Sequence, residues 1–104
     1  MTIDPIFEAR LGPWRLEAAQ LSAHLAGCAR GESKAMEGLY GALAAAIHGR
    51  LVRMLRNVTL AEDVLQETFV AVWRNAHRFD PLIGIPAAWI WVIARNRAVT
   101  ALQR

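Results

Sequence analysis

The sequence predicts an all-α fold, a compact bundle of three to four helices. Three observations support this prediction: apolar residues recur at intervals of three and four along most of the chain, glycine and proline lie mostly between the periodic segments, and β-branched runs are scarce. With 104 residues, the chain has room for one domain with its own hydrophobic core.

The first two helices are predicted from the apolar stripes that follow Pro13. Residues 1–13 show little periodicity and are assigned to an N-terminal arm, and residues 14–104 are assigned to the helical domain. Pro13 fits the first position of a helix that ends near Gly31. Ser33 fits the cap of a second helix, whose apolar stripe is the longest in the chain.

A third helix is predicted to begin at Leu60, because Thr59 and Glu62 have the spacing of a capping box. Its buried arc is predicted to consist of Val64, Leu65, Phe69, Val72, Trp73 and Ala76. The opposite arc carries polar side chains around one valine: Asp63, Gln66, Glu67, Val70 and Arg74. A bare valine among polar groups favours a partner surface, although a single exposed valine is also ordinary.

The last third of the chain is predicted to hold a loop and a fourth helix. The loop runs from Arg78 to Ile85, and Pro86 opens the helix. The segment from Trp89 to Ile93 is apolar all round, so we expect this helix to run through the core. Farther along, at about 100° per residue, one polar line forms on the helix. Its members are Trp89, Asn96, Thr100 and Gln103, flanked by Arg95 and Arg104.

Positive charge is concentrated in the same third. Residues 1–73 carry seven Lys or Arg against eight Asp or Glu, whereas residues 74–104 carry five Arg against Asp80. Amide, hydroxyl and guanidinium groups on a helix with a buried beginning predict a surface that binds nucleic acid. The excess of Arg over Lys is equally expected from the codon usage of a GC-rich genome.

No catalytic, metal or cofactor site is predicted. His24 and Cys28 lie four residues apart on one helix, but two ligands do not make a zinc site. Asp63 and Glu67 lack an accompanying nucleophile or histidine base, so we expect solvated or partner-facing carboxylates and no enzyme. Trp73 and Trp89 lie in apolar stripes, where tryptophan is more often part of the core than a platform for a base.

A cytoplasmic location without membrane insertion is expected. Cys28 is the only cysteine, so no internal disulfide can form. The first twenty residues lack the pattern of a signal peptide, and no stretch reaches the roughly twenty apolar residues that a membrane span needs.

Three blocks of the sequence together carry a family resemblance. They are AEDVLQETFVAVWR at residues 61–74, FDP at residues 79–81 and WIWVIARNRA at residues 89–98. With upstream matches at residues 29–32 and 39–40, the likeness covers roughly residues 21–104. The chain resembles region two of an extracytoplasmic-function (ECF) sigma factor, the promoter-opening subunit of bacterial RNA polymerase.

The resemblance implies two binding surfaces. The arc of Asp63, Gln66, Glu67, Val70 and Arg74 corresponds to the face that docks on the β′ coiled coil of core RNA polymerase. The loop and the polar line of the last helix correspond to the parts that capture a base flipped out of the nontemplate strand of the minus-ten promoter element. The implied DNA-binding residues are Arg78, Phe79, Asp80, Trp89, Arg95, Asn96, Thr100, Gln103 and Arg104. An anti-sigma factor is an expected further partner.

The chain departs from the family pattern at two residues and in length. Thr100 stands where an acidic residue is usual and Gln103 where a basic residue is common, so promoter preference and phosphate affinity are expected to differ. Family members add a second helical domain that reads the minus-thirty-five element, and this chain ends at Arg104 without one. It is therefore expected to be a truncated piece or a single-domain form, and to bind promoter weakly alone.

Two other functions remain open on the residues themselves. The first is a helical transcription regulator that binds duplex DNA without polymerase. The second is a protein-binding helical bundle whose basic end serves only solubility. A preference for the nontemplate single strand over duplex DNA separates the sigma-factor interpretation from the first. The response of DNA affinity to salt separates it from the second, because phosphate contacts make log affinity fall linearly with log salt concentration.

Overall fold

Four α-helices share one hydrophobic core. The computed structural model describes the backbone of residues 5–104 and the side chains from residue 17 onward. In this part of the chain the helices are α1 (Pro5–Ala29), α2 (Ser33–Leu55), α3 (Val58–Asn75) and α4 (Pro86–Leu102). A short 3-10 turn, Ala76–Arg78, follows α3. The predicted all-α bundle is confirmed.

The first helix begins earlier than predicted. α1 starts at Pro5, so Pro13 lies inside it, and residues 5–13, which were assigned to an arm, are helical. Proline has a φ close to the helical value wherever it stands, so the sequence pattern did not separate an interior proline from one that opens a helix. Residues 1–4 lie outside the described residues, and the division of the chain into an arm and a domain stays a prediction.

The caps of α2 and α3 also differ from prediction. Glu32, not Ser33, is the N-cap of α2, and it makes no side-chain capping hydrogen bond. α3 begins at Val58, where Asn57 accepts a hydrogen bond from the Leu60 N–H at 2.9 Å. An asparagine oxygen three residues before a free N–H satisfies it directly, so the capping box expected at Thr59 is wrong.

The core consists of one stripe from each helix. Its members are Leu21, Leu25 and Cys28 on α1; Leu39, Leu43, Ala44, Ile47, Leu51 and Leu55 on α2; Ala61, Val64, Leu65, Phe69 and Val72 on α3; and Ile90, Ala94 and Ala98 on α4, with Ala76 from the 3-10 turn. Thr68 is buried beside them, and its hydroxyl donates to the Val64 carbonyl at 2.7 Å. That bond removes the cost of burying the hydroxyl.

α4 buries only one of its faces, so the expectation that it runs through the core is wrong. Its fully buried residues are Ile90, Ala94 and Ala98, while Val92 is 55% exposed. Trp89 and Trp91 are half-buried, because they lie at the sides of α4 between its buried and exposed faces. The Arg50 guanidinium lies 5.2 Å from the centre of the Trp91 ring, a cation–π contact between α2 and α4. Small alanines at the core face let α4 sit close to its neighbours.

None of the helices in the described part of the chain combines the length and the apolarity needed to cross a lipid bilayer.

Candidate functional site

A groove between α3 and α4 brings several of the predicted DNA-binding residues together. We call it the α4 groove; its volume is about 470 Å³, and it is lined by Ala71, Asn75, Arg78, Trp89, Ile93, Asn96, Arg97 and Thr100. Asn96 and Thr100 are exposed, so the polar line of α4 faces outward as predicted. The Thr100 hydroxyl donates to the Asn96 carbonyl at 3.0 Å, which leaves its oxygen free to accept a hydrogen bond.

Trp89 forms one wall of the α4 groove. It is half-buried, and its ring centre lies 5.5 Å from that of Phe79, with the two planes tilted by 55°. Such an aromatic pair holds the indole in place. Trp89 thus combines the core role expected from its stripe with a position on the groove.

The arginine beside the groove is not the one predicted. Arg97 lines the groove, whereas Arg95 is exposed elsewhere on α4. With about 100° per residue, Arg95 lies roughly 100° from Asn96 on the side away from α3, and Arg97 lies roughly 100° on the other side. Gln103 and Arg104 are exposed beyond the end of the helix and outside the groove lining.

Two groove residues, Arg97 and Asn75, were missed from the sequence. Arg97 lies between the polar line and the buried face of α4. The sequence did not indicate which face that was, and the burial of Ile90 and Ala94 in the structure identifies it. Asn75 belongs to α3, and its side-chain amide donates to the Ala71 carbonyl at 2.8 Å. No pattern within α4 could have indicated a contribution from another helix.

The outer face of α3 adjoins the α4 groove. Of the five predicted polymerase-binding residues, Gln66, Glu67, Val70 and Arg74 line a second cleft of about 480 Å³, together with Ala71, Asn75 and Arg97. Val70 is 49% exposed among them. Asp63 is exposed one turn earlier and lies outside this lining. Ala71, Asn75 and Arg97 belong to both clefts, so the two predicted surfaces are continuous.

A third groove, between α2 and α3, is almost entirely apolar. Its volume is about 390 Å³, and its lining consists of Met36, Glu37, Tyr40, Gln66, Phe69, Val70 and Trp73. Trp73 is 38% exposed, so its predicted place in the buried arc of α3 is wrong. The Phe69 ring takes the core position, and its centre lies 4.9 Å from that of the Tyr40 ring in an edge-to-face arrangement. The Trp73 indole remains at the rim of the groove.

The loop between the 3-10 turn and α4 is shaped by Asp80. Its carboxylate accepts a hydrogen bond from the Leu82 N–H at 2.9 Å. Its carbonyl accepts from the N–H groups of Ile83 and Gly84 at 3.2 and 3.0 Å. Asp80 was predicted to bind DNA, and in this geometry its side chain is engaged with the loop's own backbone.

The metal-binding spacing of His24 and Cys28 has a structural explanation. Cys28 is buried in the core, and burial raises the pKa of its thiol. The His24 ring packs against Gly38 of α2, where a Cβ would overlap it. Among the described residues, no group of three or more His, Cys, Asp or Glu side chains is placed to hold a metal ion.

Comparisons with known proteins show the family to which the chain belongs. The family model described as Sigma-70 region 2 matches residues 39–104, which contain both predicted surfaces. ECF RNA polymerase sigma factor SigK of Mycolicibacterium vanbaalenii is 33% identical over 88 residues, 85% of this chain and 45% of that protein. SigK of Mycobacterium ulcerans is 37% identical over 83 residues, 80% of this chain and 44% of that protein.

The chain spans less than half the length of these curated relatives. No solved structure gives a significant match. The family match covers more than half of the chain and confirms the resemblance found in the sequence. The chain therefore belongs to the sigma-70 region 2 family.

Proposed function

We propose that this domain serves transcription initiation by docking on core RNA polymerase and capturing an unpaired base of the nontemplate strand in the minus-ten promoter element. The observation that carries the proposal is the α4 groove. There an indole, two amides, a hydroxyl and two guanidinium groups line one groove of about 470 Å³. The matched relatives are named sigma factors, which supports the same function.

The groups of the α4 groove suit an extruded nucleotide. Flipping a base out of a duplex costs a few kcal/mol. Stacking on an aromatic ring such as Trp89 contributes about 1–3 kcal/mol per base. The Asn96 amide both donates and accepts, so it can pair with the edge of a base. Arg78 and Arg97 supply positive charge for the phosphates on either side.

The cleft on the outer face of α3 supports the polymerase part of the proposal. An exposed valine lies between carboxylate, amide and guanidinium groups, an apolar centre with a polar rim that is typical of protein interfaces. This cleft is continuous with the α4 groove. A nontemplate strand bound in the groove would therefore lie next to the docked polymerase. The proposed docking partner is the β′ coiled coil.

Fluorescence anisotropy with a labelled strand of mixed sequence tests the DNA part. The domain should bind the single strand more tightly than the same strand annealed to its complement. Asn96→Ala should weaken single-strand binding on the order of tenfold, the effect of losing one base-edge contact. Because Asn96 is exposed, the melting temperature should change little, and a large drop would make Asn96 a structural residue instead.

Salt dependence provides the matched control. For single strands the slope of log affinity against log salt is about −0.7 for each phosphate contact, so Arg97→Ala should reduce its magnitude by about 0.7. Arg53→Ala removes an equally exposed arginine from α2, away from the groove, and should leave the slope unchanged. Equal or stronger duplex binding would favour a duplex-binding regulator, and no DNA binding at any salt would favour a protein-binding bundle.

Capture of purified core polymerase on the immobilised chain tests the protein part. Glu67→Arg reverses a charge inside the α3 cleft and should abolish capture while leaving the helical circular-dichroism spectrum intact. Glu17→Arg makes the same change on the exposed side of α1 and should bind normally. Capture unaffected by Glu67→Arg would remove this face from the proposal.

The same proposal includes the location of the domain and its lack of catalysis. A domain with this function acts in the cytoplasm, where polymerase and promoter are found, and catalyses no reaction of its own. An anti-sigma factor is an expected regulator.

A further inference from the structure

A hydroxyl near the end of α4 is preceded by two arginines. Thr100 follows Arg97 by three residues and Arg95 by five, and α4 contains no carboxylate. Protein kinases whose substrate clefts are lined with carboxylates select hydroxyls preceded by arginines at this spacing, because each guanidinium pairs with a carboxylate of the cleft. The residues before Thr100 therefore have the pattern of a phosphorylation site for a kinase of this class.

The other serines and threonines of the chain fit this pattern less well. Among them, only Ser33 and Thr59 have an arginine three residues before them, and neither has a second arginine two residues farther back. For Ser33 that arginine is Arg30, whose guanidinium already pairs with the Glu32 carboxylate at 2.8 Å. Thr100 is therefore the hydroxyl that such a kinase should prefer.

Thr100 lies where α4 can open to admit a kinase. Its side chain is exposed, and α4 ends at Leu102, two residues later. Among residues 97–104 only Ala98 is fully buried, so unwinding this segment withdraws little apolar surface from the core. The end of a helix is among the parts of a structure that open most readily. A kinase can therefore bind this segment in an extended form while the rest of the domain stays folded.

We propose that a protein kinase phosphorylates Thr100 and thereby prevents the α4 groove from holding DNA. The Thr100 hydroxyl oxygen forms a bond to the γ-phosphorus of a nucleoside triphosphate and loses its proton. The bond from that phosphorus to the bridging oxygen breaks, and the nucleoside diphosphate leaves. This inference rests on the proposed function, because the modified hydroxyl lines the groove that holds the strand.

A phosphate on Thr100 changes the charge of the α4 groove. It carries about −1.5 to −2 charges at pH 7. Arg97 lies three residues before Thr100, a spacing at which side chains on a helix meet, and both line the groove. The phosphate therefore pairs with the guanidinium that would otherwise contact DNA, and it repels the strand. Because the last turn of α4 is the negative end of the helix dipole, the modification also loosens that turn.

Protein kinase B, which selects arginines at this spacing, tests the site on the purified chain. Incubation with ATP should add a phosphate that mass spectrometry of the peptides places on Thr100. Arg95→Ala should slow the reaction, because it removes one of the two guanidinium groups that the kinase binds. Phosphate on Ser33 or Thr59 with none on Thr100 would overturn the proposal.

Fluorescence anisotropy of the chain with and without the phosphate tests its effect. The phosphorylated chain should bind the single strand on the order of tenfold more weakly, the effect of losing one charge-assisted contact. The slope of log affinity against log salt should fall in magnitude by about 0.7, because Arg97 no longer contacts the strand. Equal affinity of the two forms would overturn the proposal. A large drop in melting temperature on phosphorylation would also overturn it, since binding would then be lost by unfolding.

Two variants of matched size isolate the charge. Thr100→Glu should bind the single strand several-fold more weakly than Thr100→Gln, because the two side chains differ mainly in the negative charge. Equal affinities of these variants would show that charge at this position does not control binding, which would overturn the proposal.

The unphosphorylated chain separates two kinds of failure. If it binds no single strand, the proposed function fails and the effect of phosphorylation fails with it. If it binds the strand and the phosphorylated chain binds equally well, only the role of phosphorylation is lost, and the α4 groove keeps its proposed function.

Discussion

Gly41 and Gly49 of α2 should respond to substitution by alanine in the opposite way from Gly27 of α1. A Cβ built on Gly41 or Gly49 meets no atom within 4 Å, whereas a Cβ on Gly27 would lie 2.5 Å from the Cβ of Ala35. Alanine is more favourable than glycine in a helix interior by about 1 kcal/mol. Gly41→Ala with Gly49→Ala should therefore stabilise the chain by about 2 kcal/mol.

The thermal shift follows from the size of the chain. An unfolding entropy of about 2.1 cal/mol/K per residue makes 1 kcal/mol equivalent to about 4–5 °C for a domain of this length. The double variant should melt about 9 °C higher by circular dichroism, estimated from the same entropy. Gly27→Ala should melt lower, because α1 and α2 must separate to admit the methyl group, and overpacking costs about 1–3 kcal/mol.

Two results would refute this reasoning. If Gly27→Ala stabilised the chain as much as Gly41→Ala, the close approach of α1 to α2 at this point would be wrong. If the double variant did not melt higher, Gly41 and Gly49 would have contacts or roles that their open surroundings do not indicate.

Two further predictions concern the backbone at Arg56 and the thiol of Cys28. Arg56 ends α2 with a φ of 54°. Since this conformation costs a non-glycine residue roughly 1–2 kcal/mol, Arg56→Gly should raise the urea midpoint, and a lower midpoint would contradict the strain. Burial raises the pKa of the Cys28 thiol, so iodoacetamide should react more slowly with the folded chain than with the urea-unfolded chain. Because the pKa of the thiol is higher in the folded chain, the stability linked to Cys28 should be complete below the ordinary thiol pKa. It should decline as pH rises through the pKa of the folded chain. Equal reaction rates, or a urea midpoint that does not change with pH, would contradict the raised pKa.

The sequence predicted most of α2 and α3 because their stripes are long and regular. Leu39, Leu43, Ile47 and Leu51 follow helical spacing without interruption, and all are buried. Val70 was singled out as an exception on α3 and is exposed. The polar line of α4 was found in the same way, since Asn96 and Thr100 are one turn apart and both face outward.

Errors arose where the choice depended on a neighbouring helix. The apolar run at the start of α4 has no polar side, so the sequence does not show which of its residues face the core. The packing of α4 on the other helices decides this. Phe69 and Trp73 lie four residues apart on the same side of α3, and periodicity alone does not decide which of them is buried. Arg97 and Asn75 entered the groove through the pairing of α3 with α4, which no single-helix pattern contains.

α4 rests on the bundle through Ala94 and Ala98, whose side chains are completely enclosed. Only glycine is smaller, so larger residues at these positions would push α4 outward. The width of the cleft between α3 and α4 therefore depends on two residues that a bound nucleotide would never touch. Substitutions at Ala94 or Ala98 could therefore change which bases fit the α4 groove, while every side chain that lines the groove stays the same.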